Sequence, residues 1–430
     1  MNIPRLFTLT LISALSAGAA HAASAPRPVS FEKITLTSEY WCDGVNAADI
    51  NGDGQMDVVA GPFWYAGPAF KTRHAFYEPV QQELEKTPTN SMFSFIADFN
   101  GDGRPDILVL GRVLHHQAFW YENPGAAEAT KPDARWKKHF VANRVFGEAP
   151  LFRDITGDGK PELISISGET AADKVKQWGW YAPNWTDPTQ PWKFVSVTAK
   201  AEFNHYYHGE GVGDINGDGR ADLVLNEGWW EQPPKNSPPG TLWKKHAFTF
   251  SSDRGGAQIL VTDVDGDGKA DIVTALNAHG WGLAWFEQKR DATGALTFVE
   301  HKMMGTREEE KKYGVAFSQP HALTLADLDG DGLPDVITGK RRWAHGPTGD
   351  VEPMATPVNY AAGLGSQSVA LGELNGDGMP DLAVGNLLDH NVSVLLGSGN
   401  GAFAAAVSYA VGVSPFSVTL GDLNGDGHGD

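Results

Sequence analysis

The chain has 430 residues, 10% of them aromatic, with 34 basic side chains against 53 acidic ones and a formal charge of -19. Such an excess of acid repels polyanions, which sets aside nucleic acid and anionic membrane surfaces as partners. A lone cysteine, Cys42, excludes an internal disulfide framework, so a chain long enough for a large core needs another kind of cross-link.

Residues 1–22 read as an export signal: Arg5 supplies the positive start, Leu6 to Ala20 the apolar run, and Ala20-His21-Ala22 the small-x-small cleavage site. The mature chain is expected to begin near Ala23, with 23–30 as a linker, and no cysteine follows the cleavage site to carry a lipid. No later stretch is apolar over the roughly 20 residues that a membrane helix requires, so no membrane span is expected. The expected location is periplasmic or extracellular.

From residue 31 onward the chain falls into repeats. A nine-residue phrase, first Asp49-Ile-Asn51-Gly-Asp53-Gly54-Gln55-Met-Asp57, returns eight times at intervals of roughly 46 to 64 residues, the size of one supersecondary unit. Positions one, three, five, seven and nine are Asp49, Asn51, Asp53, Gln55 and Asp57 in the first copy, then Asp98, Asn100, Asp102, Arg104 and Asp106 in the second. The third has Asp154, Thr156, Asp158, Lys160 and Glu162, and the fourth has Asp214, Asn216, Asp218, Arg220 and Asp222. The fifth has Asp263, Asp265, Asp267, Lys269 and Asp271, and the sixth has Asp327, Asp329, Asp331, Leu333 and Asp335. The seventh has Glu373, Asn375, Asp377, Met379 and Asp381, and the eighth has Asp422, Asn424, Asp426, His428 and Asp430.

This spacing suits a hard cation. Side-chain oxygens at positions one, three, five and nine converge while position seven offers its backbone carbonyl, and calcium accepts six to eight oxygens at about 2.3–2.6 Å. Glycine at position six, Gly54 in the first copy, allows the left-handed backbone that curls the loop. An EF-hand would end in Glu at position twelve and enter a helix, whereas here the loops lead into Asp57-Val-Val-Ala, Asp106-Ile-Leu-Val-Leu, Asp222-Leu-Val-Leu and Asp335-Val-Ile-Thr, which are strand-like. A single such string is an ordinary polar turn; eight in register are a calcium inventory, since about half of all Asp and Glu lie inside them. Structural calcium is therefore the expected cofactor and cross-link. Thr156 and Glu162 in the third copy predict a weaker or more hydrated site, and Glu373 in the seventh is a longer arm that still reaches.

An apolar run of strand length precedes each loop and another follows it. A third strand is marked by aromatic pairs at Trp64-Tyr65, Trp120-Tyr121, Trp180-Tyr181, Trp229-Trp230 and Trp285-Phe286, and a fourth by Trp136-Lys-Lys-His and Trp243-Lys-Lys-His. Four short antiparallel strands per unit of about fifty residues is the arithmetic of a β-propeller blade. The fold class is all-β, with no convincing helical stripe, and the aromatic pairs are expected to pack between neighbouring blades rather than to stack on sugars.

The phrases Gly211-Val-Gly-Asp214-Ile-Asn-Gly-Asp218-Gly-Arg-Ala-Asp222-Leu and Leu325-Ala-Asp327-Leu-Asp-Gly-Asp331-Gly-Leu-Pro-Asp335 resemble FG-GAP/VCBS repeats, the integrin-type calcium-binding β-propellers. His208-Gly-Glu-Gly, Gly228-Trp-Trp-Glu-Gln-Pro, Ala278-His279-Gly-Trp-Gly and Gly339-Lys-Arg-Arg-Trp-Ala-His345-Gly are similar to secreted bacterial propeller proteins, and more loosely to the propeller portion of fungal aldos-2-ulose dehydratases. Blades one to six are expected over 31–357. Over 358–430 a second repeat subtype begins, with Val358-Asn-Tyr-Ala-Ala-Gly and Val407-Ser-Tyr-Ala-Val-Gly. The preferred count is seven four-stranded blades, the seventh closing the ring against an N-terminal strand near Phe31 to Leu36. The eighth copy, without a following strand, is a surplus incomplete repeat.

The resemblance implies that the strand before each loop is innermost and that its far end opens on the opposite face, around the channel. Residues six positions before each loop are Asp43, Met92, Glu148, His208, Ala257, His321 and Gln367. His205, His279, Lys340, Arg341 and His345 are expected on the same face. Such a set can hold a divalent metal, run acid–base chemistry on a sugar, or grip a polar ligand. No GxSxG elbow, P-loop, dinucleotide fingerprint or HExxH string is present. Three functions stay open: a ligand-binding module for carbohydrate or an extracellular protein, a sugar lyase or dehydratase using His208, His279, His321 and Glu148, and a structural adhesion module.

Overall fold

The structure, a computed structural model, describes residues 34–42, 44–81, 89–111, 117–168, 175–204, 206–252, 255–328, 334–340, 366–372, 381–397, 404–409 and 417–419. Each acidic loop ends where β-branched and aliphatic residues begin, and the chain turns back there as a hairpin. Gly44–Ala48 runs antiparallel to Asp57–Ala60 with Ala48 opposite Asp57. The six later hairpins repeat this register, pairing Ala97 with Asp106, Arg153 with Glu162, Gly213 with Asp222, Thr262 with Asp271, Ala326 with Asp335 and Gly372 with Asp381. Position nine is thus the first residue of every second strand, fixed opposite the residue that precedes position one.

Third and fourth strands complete the units. Trp64-Tyr65, Trp120-Tyr121, Trp180-Tyr181, Trp229-Trp230 and Trp285-Phe286 all lie on third strands, and Lys137–Ala142 and Lys244–Ala247 are fourth strands. Helix among the described residues is confined to single turns at Ala126–Ala129, Arg307–Glu309 and Glu310–Tyr313. The described strands form seven sheets, which differ from the uniform four-stranded expectation in three places. The first sheet gains Ser417–Thr419, the strand before the eighth loop, parallel to Gly44–Ala48; this strand gives hydrogen-bond partners to an edge that the hairpin alone leaves open. The third sheet gains Ala201–Glu202 against an extended third strand, and the sixth has Pro320–Ala326 and Asp335–Lys340 as its two described strands. Near the N-terminus, Ile34 bridges Val394 of the seventh sheet.

The period of two along a strand sends the members of an aromatic pair to opposite faces, and each finds a different neighbour. Trp64 packs with Ile96 and Ile107 of the second sheet, while Tyr65 shares a cluster with Val392 and Tyr409 of the seventh. Trp120 meets Leu163 and Tyr181 of the third sheet, while Tyr121 turns back toward the first. Trp229 joins Ile272 and Phe286 of the fifth, while Trp230 joins Ile164 and Trp178 of the third. Seven such clusters separate the sheets, including one between the fifth and sixth, one between the sixth and seventh, and one between the seventh and first. A buried ring of this size covers about 150–250 Å², so each contributes up to about 4–6 kcal/mol. The aromatic pairs are the mortar between sheets.

The histidines of the Lys-Lys-His words have a structural role too, shared by His301 at the matching place in the fifth sheet. His139, His246 and His301 stack flat on Trp120, Trp229 and Trp285 at centroid distances of 4.0, 4.0 and 4.3 Å. Each imidazole also meets the glutamate two positions after its tryptophan or one after its partner ring, Glu122, Glu231 and Glu287, at 2.8, 2.7 and 2.9 Å.

Candidate metal centres

The acidic loops are built the same way wherever they are described. In the first, Asp49 Oδ1 accepts the backbone N–H groups of Gly52 and Asp53 at 2.7 and 3.0 Å, and Oδ2 accepts that of Gly54 at 2.8 Å. Asp57 accepts Ile50 N–H at 2.9 Å and, from the third strand's exit, Gly67 N–H at 2.8 Å. Copies two, three, four and five repeat the position-one pattern around Asp98, Asp154, Asp214 and Asp263. Gly54 at position six has φ +82°, as expected, and Gly52 at position four is left-handed as well, at +74°.

Burial, reinforced by the neighbouring carboxylates at positions one and five, pushes Asp57, Asp106, Glu162 and Asp222 up to about 7, and burial with Asp265 and Asp267 beside it raises Asp271. Fully buried acids beside two more carboxylates are a standing demand for positive charge. Three acids come within 4.8 Å of one another in the third loop, Asp154, Asp158 and Glu162, and in the fifth, Asp263, Asp265 and Asp267. The longer Glu162 arm therefore reaches the other two acids. In the other direction, the position-seven side chains Arg104, Arg220 and Lys269 fold onto the position-five acids Asp102, Asp218 and Asp267. Sequence reading gave those positions only a backbone role.

A second group was missed. Asn123, Gln232 and Gln288 follow the aromatic pair and its glutamate, and each side-chain amide ties two loops together. Asn123 Nδ2 donates to Ile50 O in the first loop and Pro105 O in the second, at 2.9 and 3.0 Å. Gln232 bridges Ile155 O to Ala221 O at 2.6 and 3.1 Å, and Gln288 bridges Ile215 O to Ala270 O at 2.8 Å each. The recurring amide after Trp-aromatic-Glu was the signal. Gln288→Ala leaves two buried carbonyls without a donor, and a loss of about 2–3 kcal/mol is expected, measured by urea unfolding; a change under about 0.5 kcal/mol would refute the bridging role.

At the other ends of the first strands lies the histidine group. Glu148 enters on Phe146–Arg153 of the third sheet, His208 just ahead of Glu210–Gly213 in the fourth, His279 in the turn after Asp271–Ala275 of the fifth, and His321 on Pro320–Ala326 of the sixth. Their ligand atoms all fall within 4.8 Å of one another. His208 Nε2 is 2.9 Å from Glu148 Oε2 and 2.9 Å from His321 Nε2, which is itself 3.3 Å from His279 Nε2. His208 and His321 are buried, at 1% and 3% exposure, whereas His279 is partly open to solvent.

Backbone contacts hold these ligands in place. Asn226 Nδ2 donates to His208 O at 2.6 Å while its Oδ1 accepts Gly256 N–H at 3.1 Å. A Cβ on Gly209, at φ +78°, would lie 2.5 Å from that Asn226 oxygen, so only glycine fits after His208. Glu148 N–H donates to Tyr207 O, His279 N–H to Asn277 Oδ1, and Gln319 N–H to Gly280 O. Glu210, two residues beyond His208, is fully buried, and desolvation holds its carboxyl well above the usual range.

Four of the nine channel-face candidates thus meet at one point. Asp43, His205, Arg341 and His345 lie outside the described residues, and Lys340 ends the second strand of the sixth sheet, opposite Pro320. Of the other six-before positions, Met92 and Ala257 are buried in apolar clusters. No helix of the described residues is long and apolar enough to cross a membrane.

Among solved structures the chain is similar to the V. cholerae biofilm matrix protein Bap1, with 11% identity over 94% of this chain and 87% of that chain and a TM-score of 0.38. It is also similar to rhamnogalacturonan lyase YesW, with 12% identity over 95% and 72% and a TM-score of 0.38. A third likeness is to BBS1N in complex with ARL6DN, at 13% identity over 89% and 86% and a TM-score of 0.30. No curated protein matches the chain. The family model of the FG-GAP-like repeat matches residues 98–165, 263–338 and 373–430, each spanning at least one of the acidic loops, and over those three regions the chain carries FG-GAP-like repeats.

Proposed function

We propose that this is an exported, calcium-braced β-propeller whose channel mouth holds a transition-metal ion and binds an oxygen-rich ligand there, carbohydrate foremost. The observation that carries the reading is the convergence of Glu148, His208, His279 and His321 from four successive sheets. Glu148, His208 and His321 sit on or just ahead of first strands, which supports first strands innermost in a ring, and the core shared by the seventh and first sheets supports the same arrangement. The acidic loops lie about 20 Å away along the first strands, at six residues of roughly 3.3 Å each.

One nitrogen with two partners argues for an ion. An imidazole Nε2 has either one proton or one lone pair, yet His208 Nε2 faces both a carboxylate and a second imidazole at 2.9 Å. A shared cation satisfies all four groups at once, since bonds of about 2.0–2.1 Å in a tetrahedral site put neighbouring donors about 3.3 Å apart. Three imidazoles select zinc-class metals, whereas the all-oxygen loops select calcium. The His279 side is the open one, where a ligand oxygen can enter. When bound, such an ion polarises a sugar hydroxyl or carbonyl.

A lyase or dehydratase is the second reading, favoured by Glu148 and His208 standing within proton-transfer distance at the same point. Metal analysis tests the common premise: one transition-metal ion per chain is expected beside several calcium ions. A glycan array and a screen for new unsaturated-carbonyl absorbance then separate binding from turnover. Binding of neutral glycans that is indifferent to removal of the transition metal would overturn the reading and favour an adhesion module.

A further inference from the structure

The cleft between the first and second sheets is independent of the histidine group and has its own chemistry. It measures about 900 Å³, and its floor is the face of the second sheet, where Phe119 and Tyr121 alternate along the third strand and Lys138 lies opposite Tyr121. Tyr77 stacks on Tyr121 at 5.1 Å, and Trp41 and Trp136 close the sides. Lys138 Nζ sits 3.6 Å from the Phe119 ring centroid, with Arg135 and Arg144 on the same lining. Among the described lining residues Glu78 is the one carboxylate, and Arg135 holds it through Nε and a terminal nitrogen at 3.1 and 2.9 Å. Among the described residues Trp136 Nε1 is a buried donor without an acceptor.

A cation-lined aromatic cleft in a chain of formal charge -19 runs against its surroundings. We propose that this cleft is a second binding site, for an acidic oligosaccharide of the uronate type. Ring faces accept the apolar faces of sugar rings while cations beside them accept carboxylates. Asn90 and Gln117 add amides suited to hydroxyls. The lining is made of side chains over a sheet face, whereas an extended acidic peptide would pair with the backbone of a strand edge. Like the histidine group it opens at the ends of the strands opposite the acidic loops, since Asn90 precedes a first strand and Gly111 follows a second.

Isothermal titration of the full chain, at fixed calcium, with a galacturonate trimer, a neutral galactose trimer and a short poly-glutamate tests the proposal. The acidic trimer is expected to bind at least tenfold more tightly than either alternative, to weaken with salt, and to quench tryptophan emission from Trp41 and Trp136. Lys138→Met keeps the apolar stem and melting temperature and is expected to lower that affinity at least tenfold. His208→Ala is expected to leave it unchanged, which separates this site from the metal centre. Equal binding by Lys138→Met, preference for poly-glutamate or the neutral sugar, or loss of binding with the His208 variant would each overturn it.

Discussion

Removing calcium with excess chelator is expected to lower the melting temperature by at least about 10 °C, and calcium added back alone is expected to restore it. Extracellular calcium modules bind at about 10⁻⁴–10⁻³ M, so at ten to a hundred times that concentration each loop contributes about 1.4–2.7 kcal/mol. Five fully described loops alone sum to about 7–14 kcal/mol, as large as the whole stability of many domains. The effect has a defined pH course. Asp57, Asp106, Glu162 and Asp222 sit at about 7 in the ion-free fold, against roughly 4 in the unfolded chain. Between those values the folded state retains protons that the unfolded state has released, so without calcium stability falls as pH rises from about 4 to 7. Calcium must displace the same protons, so its affinity rises over that window. An unchanged midpoint with and without chelator across the window would count decisively against calcium bracing.

His208→Ala is expected to abolish the proposed transition-metal centre. Losing a direct ligand should cost more than the 10- to 100-fold that an outer-shell change costs, so affinity falls by well over about 100-fold. Cobalt(II) is a direct probe, because three imidazoles and a carboxylate give visible bands that free cobalt in water lacks. Those bands should appear in the parent chain and vanish in the variant, while the calcium-dependent melting shift persists. Cobalt bound equally by both proteins would remove His208 from the centre.

Much of this was legible in the sequence, for physical reasons. The acidic phrase dictates a hairpin because its carboxylates accept the loop's own N–H groups, and alternation after it dictates a strand, so the second strands start where expected, at Asp57, Asp106 and Asp222. The resemblance to integrin-type propellers, through its six-residue offset, also pointed to Glu148, His208 and His321, which the structure groups with His279. It pointed to Met92 and Ala257 equally well, and spacing does not say which ends converge on one atom. The straps at Asn123, Gln232 and Gln288 escaped notice because their partners lie in the preceding repeat, 73 or 77 positions away. The fifth strand at Ser417–Thr419 was hidden for a related reason: an open edge recruits whatever strand is nearby in space, and parallel pairing across the whole chain leaves no local signature.

The core that joins the seventh sheet to the first bears on how the protein comes apart. Linear repeat arrays peel from their ends, because a terminal unit has a single neighbour. In the ring proposed above every sheet has two, so it has no outermost unit from which unzipping can start. A protease that nicks a connecting loop leaves both fragments still wedged in the wheel, and degradation must wait for the whole assembly to open at once.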